Sequence, residues 1–179
     1  ERGALISEMT EKQAAILAEA GAARSEGLPY DTPEEALIMA SIVEKETGIA
    51  EERPKVASVF VNRLQQGMRL QTDPTVIYGI TKGEGVLGRG LRQSELRRET
   101  PYNTYVIDGL PPTPIANPGA EAIKAAVNPD RSDYLFFVAD GSGGHAFATT
   151  LEEHNANVAA WRKIEAAQGA TEEGGVQGE

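Results

Sequence analysis

The chain of 179 residues contains no cysteine and only two histidines, His145 and His154. A disulfide framework and a thiolate zinc site are therefore excluded, and two imidazoles are too few for a histidine-rich metal centre. No metal or other cofactor is expected. There is no apolar run approaching the roughly 20 residues that span a bilayer, and no signal-peptide pattern. Nor is there a G-x-S-x-G turn, so nucleophilic catalysis of the Ser-His-Asp type has little support. Bases are also scarce: 17 Lys and Arg face 27 Asp and Glu, for a net charge of −10. That deficit argues against nucleic acid or an anionic membrane surface as a partner, because both need basic patches that condense on phosphate. A neutral or weakly charged substrate fits better.

What is present is ordinary for one globular domain: 40% hydrophobic and 25% charged residues, enough for one good core. The most informative stretch runs from Ala36 to Thr47, where a nearly unbroken apolar run feeds into Glu44, Lys45, Glu46 and Thr47. Thr32 can cap a helix there, Pro33 suits its first turn, and Glu35 stands in capping-box register. At about 100° per residue, Met39, Ile42, Val43 and Glu46 share one stripe, whereas Glu44 points to the opposite side with Leu37, Ala40 and Ser41. Glu46 thus continues the most apolar stripe. A carboxyl group there loses hydration of its charged form, so its pKa should rise, as a general acid near neutral pH requires. The plainer alternative is a glutamate that leaves the core at a helix end, or pairs with Lys45 or Arg53.

Elsewhere the pattern predicts a lead-in helix over 4–24, a helix over 51–66 stopped by Gly67, and a turn at Thr72 or Asp73 ahead of Pro74 with a short helix through Tyr78. Residues 82–90 form a glycine-rich surface loop without the strand-then-helix frame of a phosphate cradle. Pro101–Ile107 has the aromatic and β-branched content of a strand, and 111–118 must be extended irregular chain. A helix over 119–127, a hairpin from 133–139 and 145–149, and a helix over 151–166 capped by Thr150 complete the pattern. Helices first and a late hairpin indicate an α+β, mainly helical class. Residues 1–166 form the expected domain, and 167–179 a Gly/Glu-rich disordered tail.

With no nucleophile in evidence, acid/base chemistry on a carboxyl remains, and glycosidic bonds are its natural targets. Asp73 is the only acid in the polar cluster 71–75; its plain alternative is an Asx-type cap before Pro74. Tyr78, Tyr102, Asn103 and Tyr105 offer ring faces and an amide suited to a sugar, or else anchor a small core. His145 stands beside Gly143 and Gly144 and either approaches a substrate or bonds to backbone. Trp161 reads as core.

Taken together, Ser41–Thr47 (SIVEKET), Arg53–Leu64 (RPKVASVFVNRL), Gly67–Gly79 (GMRLQTDPTVIYG), Tyr102–Tyr105 (YNTY), Gly109–Pro112 (GLPP), Asn117–Gly119 (NPG) and Tyr134–Gly141 (YLFFVADG) closely resemble the YceG-like family of endolytic murein transglycosylases. The resemblance runs from about Leu28 to Lys163; Thr113 stands where many relatives have Gly. It implies a lysozyme-like or transglycosylase-like catalytic domain. It also implies cleavage of the β-1,4 bond between N-acetylmuramic acid and N-acetylglucosamine in nascent peptidoglycan strands, leaving 1,6-anhydromuramic ends without consuming water. The family's catalytic glutamate maps onto Glu46. Polar clustering within the matched motifs makes Gln71, Thr72, Asp73, Tyr78, Asn103 and Tyr105 the expected substrate-binding or positioning residues. The resemblance further implies an N-terminal membrane anchor and a small LysM-like domain ahead of this region, an inner-membrane, periplasmic or outer-wall location, and peptidoglycan synthases as partners. Two rivals stand beside it: a hydrolytic muramidase in which Asp73 activates water, and a catalytically silent peptidoglycan-binding scaffold.

Overall fold

A computed structural model describes residues 2–173, with side chains described over 3–167. Seven helices are described: α1 (Arg2–Ala22), α2 (Pro33–Glu46), α3 (Arg53–Gln65), α4 (Asp73–Thr81), α5 (Gln93–Leu96), α6 (Ala120–Val127) and α7 (Leu151–Glu173). A 3-10 turn, Ala50–Glu52, precedes α3, and two short strands, β1 (Phe136–Ala139) and β2 (His145–Ala148), precede α7. The result is α+β and mainly helical. Among the described residues no helix is long and apolar enough to cross a membrane. The chain divides into two compact units, residues 1–132 and 133–179.

In the first unit, α2 is the central element, packed against α6 and α3. Its start follows from sequence: the Thr32 hydroxyl accepts the Glu35 N–H, and the Glu35 carboxylate accepts the Thr32 N–H at 3.1 Å. Ile42, Val43 and Met39 are fully buried, as the stripe predicted, but Ala40 and Ser41 on the opposite side are fully buried as well. The helix is wrapped on both faces because α3, α6 and the extended chain around Ile115 all pack on it. Ser41 Oγ accepts the Ile115 N–H at 2.9 Å and Glu44 Oε2 accepts the Gly119 N–H at 3.0 Å. Glu44 therefore secures a loop, while Glu46, two residues on, faces elsewhere.

The strand expected at 101–107 does not form; the segment is a series of turns. The reason is Asn103. Its buried amide donates to the carbonyls of Glu95, Leu96 and Arg98 at 3.1, 3.1 and 2.8 Å. Its Oδ1 accepts the Tyr105 N–H at 3.0 Å, and its own carbonyl accepts from Val106 and Ile107. Local side-chain bonding has taken the backbone groups that a ladder would need. The short helix α5 was also unforeseen.

The second unit is the hairpin with α7. β1 and β2 pair antiparallel, Phe136 opposite Ala148 and Ala139 opposite His145. Phe136 stacks on His154 of α7 at 5.0 Å between ring centres. Gly141 has φ +87, and a Cβ there would sit 2.9 Å from Ile164 Cγ2, so the connection requires glycine. The last helix runs to Glu173, past the expected end at 166, so 167–173 is helical and not disordered tail. The rest of that predicted tail, 174–179, lies outside the described residues.

The cap of α2 gives a direct prediction. Thr32→Ala should lower unfolding free energy by about 1 kcal/mol in urea denaturation. The Thr32 and Asp31 N–H groups hold the Glu35 carboxyl below its ordinary range. Its contribution is therefore present above the usual carboxylate pKa and lost as pH falls through the lowered value. The stability gap between wild type and Glu35→Gln should accordingly close on acidification.

Candidate active site

Glu46 is the last residue of α2 and is half-buried. The helix stops there because Thr47 turns extended (φ −140, ψ 136), with its hydroxyl bonded to Glu52 at 3.2 Å and to the Ile49 N–H at 3.0 Å. The carboxylate of Glu46 accepts a hydrogen bond from the hydroxyl of Thr72. Thr72 is the N-cap of α4, yet its side chain makes no capping bond. A threonine hydroxyl in that position ordinarily satisfies an N–H of the first turn and stabilises the helix by about 0.5–2 kcal/mol. Here it is turned onto Glu46 instead. Local helix stability has been exchanged for a donor aimed at one carboxylate.

Three buried threonines fix that donor. The Thr72 N–H donates to Thr104 Oγ1 at 3.0 Å, Thr75 Oγ1 lies 2.8 Å from Thr104 Oγ1, and Thr75 Oγ1 donates to the Thr72 carbonyl at 2.8 Å. All three are at most 2% exposed. Just upstream, Gln71 adopts a left-handed backbone with φ 52, uncommon for a residue with a side chain. Arg63 of α3 supports this bend: one guanidinium nitrogen, Nη1, donates to the carbonyls of Arg69 and Leu70 at 3.0 and 3.1 Å and approaches Gln71 Oε1 at 3.4 Å. The Gln71 N–H is taken by the Thr104 carbonyl at 3.1 Å.

Asp73 opens α4 and is exposed; its Oδ1 accepts the Tyr105 hydroxyl at 2.6 Å. Burial, then the bond to Asp73 and the negative charges of Asp73 and Glu46, push the Tyr105 hydroxyl well above its ordinary pKa, and the nearby Arg63 opposes them. Tyr105 therefore stays protonated and donates. Burial likewise lowers the Arg63 guanidinium from its usual value. Glu46, Asp73, Tyr105 and Arg63 thus form one electrostatic cluster.

The structure brings together Glu46, Thr72, Asp73 and Tyr105, with Gln71 exposed at their edge. Tyr78 packs on Tyr102 at 5.0 Å between ring centres, and Lys82 sits 4.3 Å over the Tyr102 ring. Gly79 admits that contact, since a Cβ there would lie 3.1 Å from Tyr102 Cβ. Thr113 bonds the Tyr102 hydroxyl at 2.8 Å. Asn103, expected to meet substrate, is fully buried with its amide engaged in the loop, so it presents no polar atom to a ligand. His145 belongs to the second unit, edge-on to Phe137 at 5.3 Å.

Arg63, Thr75 and Thr104 were missed by sequence reasoning, although a signal existed for the first. Val56, Val59, Phe60 and Arg63 lie on one stripe of α3, a charged residue continuing an apolar face just as Glu46 does on α2. A groove of about 830 Å³ has Lys45 and Pro74, the chain neighbours of Glu46 and Asp73, in its wall, but no residue of the cluster itself lines it. Among the described residues no three His, Asp or Glu side chains are grouped to hold a metal ion.

The chain is similar to several known proteins. A protein of Bacillus subtilis named endolytic murein transglycosylase is 46% identical over 119 residues, covering 66% of this chain and 32% of that protein. One of Streptococcus pneumoniae with the same name is 38% identical over 134 residues, covering 72% of this chain and 24% of the relative. The chain thus spans a third or less of the length of these relatives. A crystal structure of a yceG-like protein from Listeria monocytogenes is 45% identical and superposes with a TM-score of 0.62, covering 69% of this chain and 38% of that one. The description of the YceG-like family matches residues 1–160, nearly the whole of what is described here, and this chain belongs to that family.

Proposed function

We propose that this region is the catalytic part of an endolytic lytic transglycosylase. It cuts the N-acetylmuramic acid-β-1,4-N-acetylglucosamine bond within nascent glycan strands and leaves 1,6-anhydromuramic ends. The observation that carries this reading is the Glu46 carboxyl, held at the end of a buried helix by a hydroxyl withdrawn from its helix cap. The names of the relatives support the same chemistry.

Glu46 gives its proton to the glycosidic oxygen as the bond to the muramic anomeric carbon breaks. The substrate's own N-acetyl group stabilises the oxocarbenium-like centre, and the Thr72 hydroxyl stabilises the carboxylate just formed. That carboxylate then takes the proton of the muramic 6-hydroxyl as its oxygen attacks the anomeric carbon. The carboxyl ends protonated, and no water enters. Gln71, Asp73, Tyr78 and Tyr105 contact the glycan in this reading, while Thr72 acts through Glu46 and Asn103 acts through the loop it organises. The setting we infer is a membrane-anchored protein with its catalytic part outside the cytoplasm, working beside peptidoglycan synthases.

The test is mass spectrometry of products from uncrosslinked glycan strands, with full-length membrane-anchored protein and its Glu46→Gln variant. New ends should be lighter by one water than reducing ends, and Glu46→Gln should lose about 10²–10⁴-fold in rate. Reducing ends of full mass would instead identify a hydrolytic muramidase, and glycan binding without any turnover a scaffold.

Arg63→Met should lower unfolding free energy by about 1–3 kcal/mol in urea, because the Arg69 and Leu70 carbonyls lose their charged donor. The same variant should slow turnover more than it raises KM, since the bend it releases aims Thr72 at Glu46.

A further inference from the structure

Asp73 has the chemistry to turn this site to hydrolysis, and the structure shows its carboxylate already engaged. It opens α4 directly after Thr72, whose hydroxyl is bonded to Glu46, and it is exposed, so water reaches it. An ionised carboxylate near the acid that breaks a glycosidic bond, with water at hand, is what an inverting hydrolase uses as its general base. The muramic 6-hydroxyl and a water molecule compete for the same anomeric carbon. Cleavage that leaves anhydro ends therefore requires that this carboxylate be kept from activating water.

Two features keep it so. Asp73 sits in the first turn of α4, where the helix dipole favours its charged form and lowers its basicity. The stronger restraint is Tyr105, whose hydroxyl donates to Asp73 Oδ1 at 2.6 Å. A hydrogen bond to the ionised form opposes uptake of a proton, and this one also fixes which way the carboxylate faces. The donor is itself held: the Tyr105 side chain is half-buried, and its backbone N–H is taken by Asn103 Oδ1 at 3.0 Å. Burial, then the bond to Asp73 and the charges of Asp73 and Glu46, keep the hydroxyl protonated. Because that hydroxyl feels both carboxylates, Asp73, Tyr105 and Glu46 stand together, and the oxygen of Asp73 that would take a water proton is already bonded.

We propose that Tyr105 decides the outcome of cleavage: by engaging Asp73 it leaves the muramic 6-hydroxyl as the attacking group, and without its hydroxyl Asp73 delivers water instead. The inference rests on the transglycosylase reading above. In the diverted reaction Glu46 gives its proton to the glycosidic oxygen, which leaves with the electron pair of the broken bond. A water oxygen then bonds to the anomeric carbon while Asp73 takes one of its protons, and solvent carries that proton back to Glu46. One water is consumed and a reducing end is formed. Tyr105 acts here through Asp73, as a positioning residue that sets which acceptor is used.

The readout is the ratio of reducing to anhydro ends, which a loss of packing alone would not move. Full-length protein is given uncrosslinked glycan strands in isotopically labelled water, and the new ends are weighed by mass spectrometry. Wild type should give anhydro ends. Tyr105→Phe, which keeps the ring, should raise the ratio by at least about tenfold, with the label in the reducing ends. Adding Asp73→Asn to Tyr105→Phe should return the ratio to within about threefold of wild type. Asp73→Glu carries the carboxylate past its bond while leaving Tyr105 unaltered; it should leak in the same direction, and it decides the matter where circular dichroism shows Tyr105→Phe unfolded. An unchanged ratio in the folded variant, or labelled reducing ends that persist in the double variant, would overturn the proposal, while anhydro ends from wild type leave the transglycosylase reading standing. Reducing ends from wild type would overturn that reading and this proposal with it.

Discussion

The hydrogen bond from Thr72 to Glu46 is the constraint around which the first unit is arranged. It joins the C-terminal end of α2 to the N-terminal end of α4, two elements 26 residues apart in sequence. Each end is shaped to permit it. Thr47 stops α2 by turning extended, so the Glu46 side chain leaves the helix at its rim. Thr72 leaves its own helix uncapped, and Thr75 and Thr104 hold the backbone in place of the missing cap. A buried hydroxyl cluster with every member bonded is rigid, because each alternative rotamer strands a polar group away from water.

The bend that delivers Thr72 is itself supported. Gln71 in a left-handed conformation is strained by about 1–3 kcal/mol, and such strain persists only where its surroundings determine it. Arg63, from the buried face of α3, binds the two carbonyls before the bend, and the Thr104 carbonyl takes the amide of the bend itself. Stability and site geometry therefore share the same side chains. Asp73 and Tyr105 complete the cluster from the exposed side, with Tyr105 kept as a donor by burial and by the neighbouring carboxylates.

Much of this was legible in the sequence. The capping box at Thr32 and Glu35 set the start of α2, and that start set the phase that carried Glu46 along the stripe of Met39, Ile42 and Val43. The hairpin and the two prolyl helix starts were equally readable, since their signals are local. What was not legible came from tertiary bonding. Pro101–Ile107 has strand composition, yet Asn103 gathers three carbonyls from a preceding turn and folds the segment on itself. Thr72 read only as a turn-opening or substrate-positioning residue, because nothing in its neighbours along the chain indicates that Glu46 lies within reach. The burial of Ala40 and Ser41 on the far side of α2 was illegible for the same reason: the chain that covers them arrives from residues 115–119. Arg63 was readable by the rule that found Glu46, a charge continuing an apolar stripe, and the two residues are parts of one site.

The central claim is that the Thr72 hydroxyl works through the Glu46 carboxylate and not as an independent contact. A double-mutant cycle on glycan cleavage tests it, using Thr72→Val, Glu46→Gln and the pair. The account predicts that Thr72→Val slows the wild-type enzyme by about tenfold and slows the Glu46→Gln enzyme no further. Equal losses in both backgrounds would contradict it.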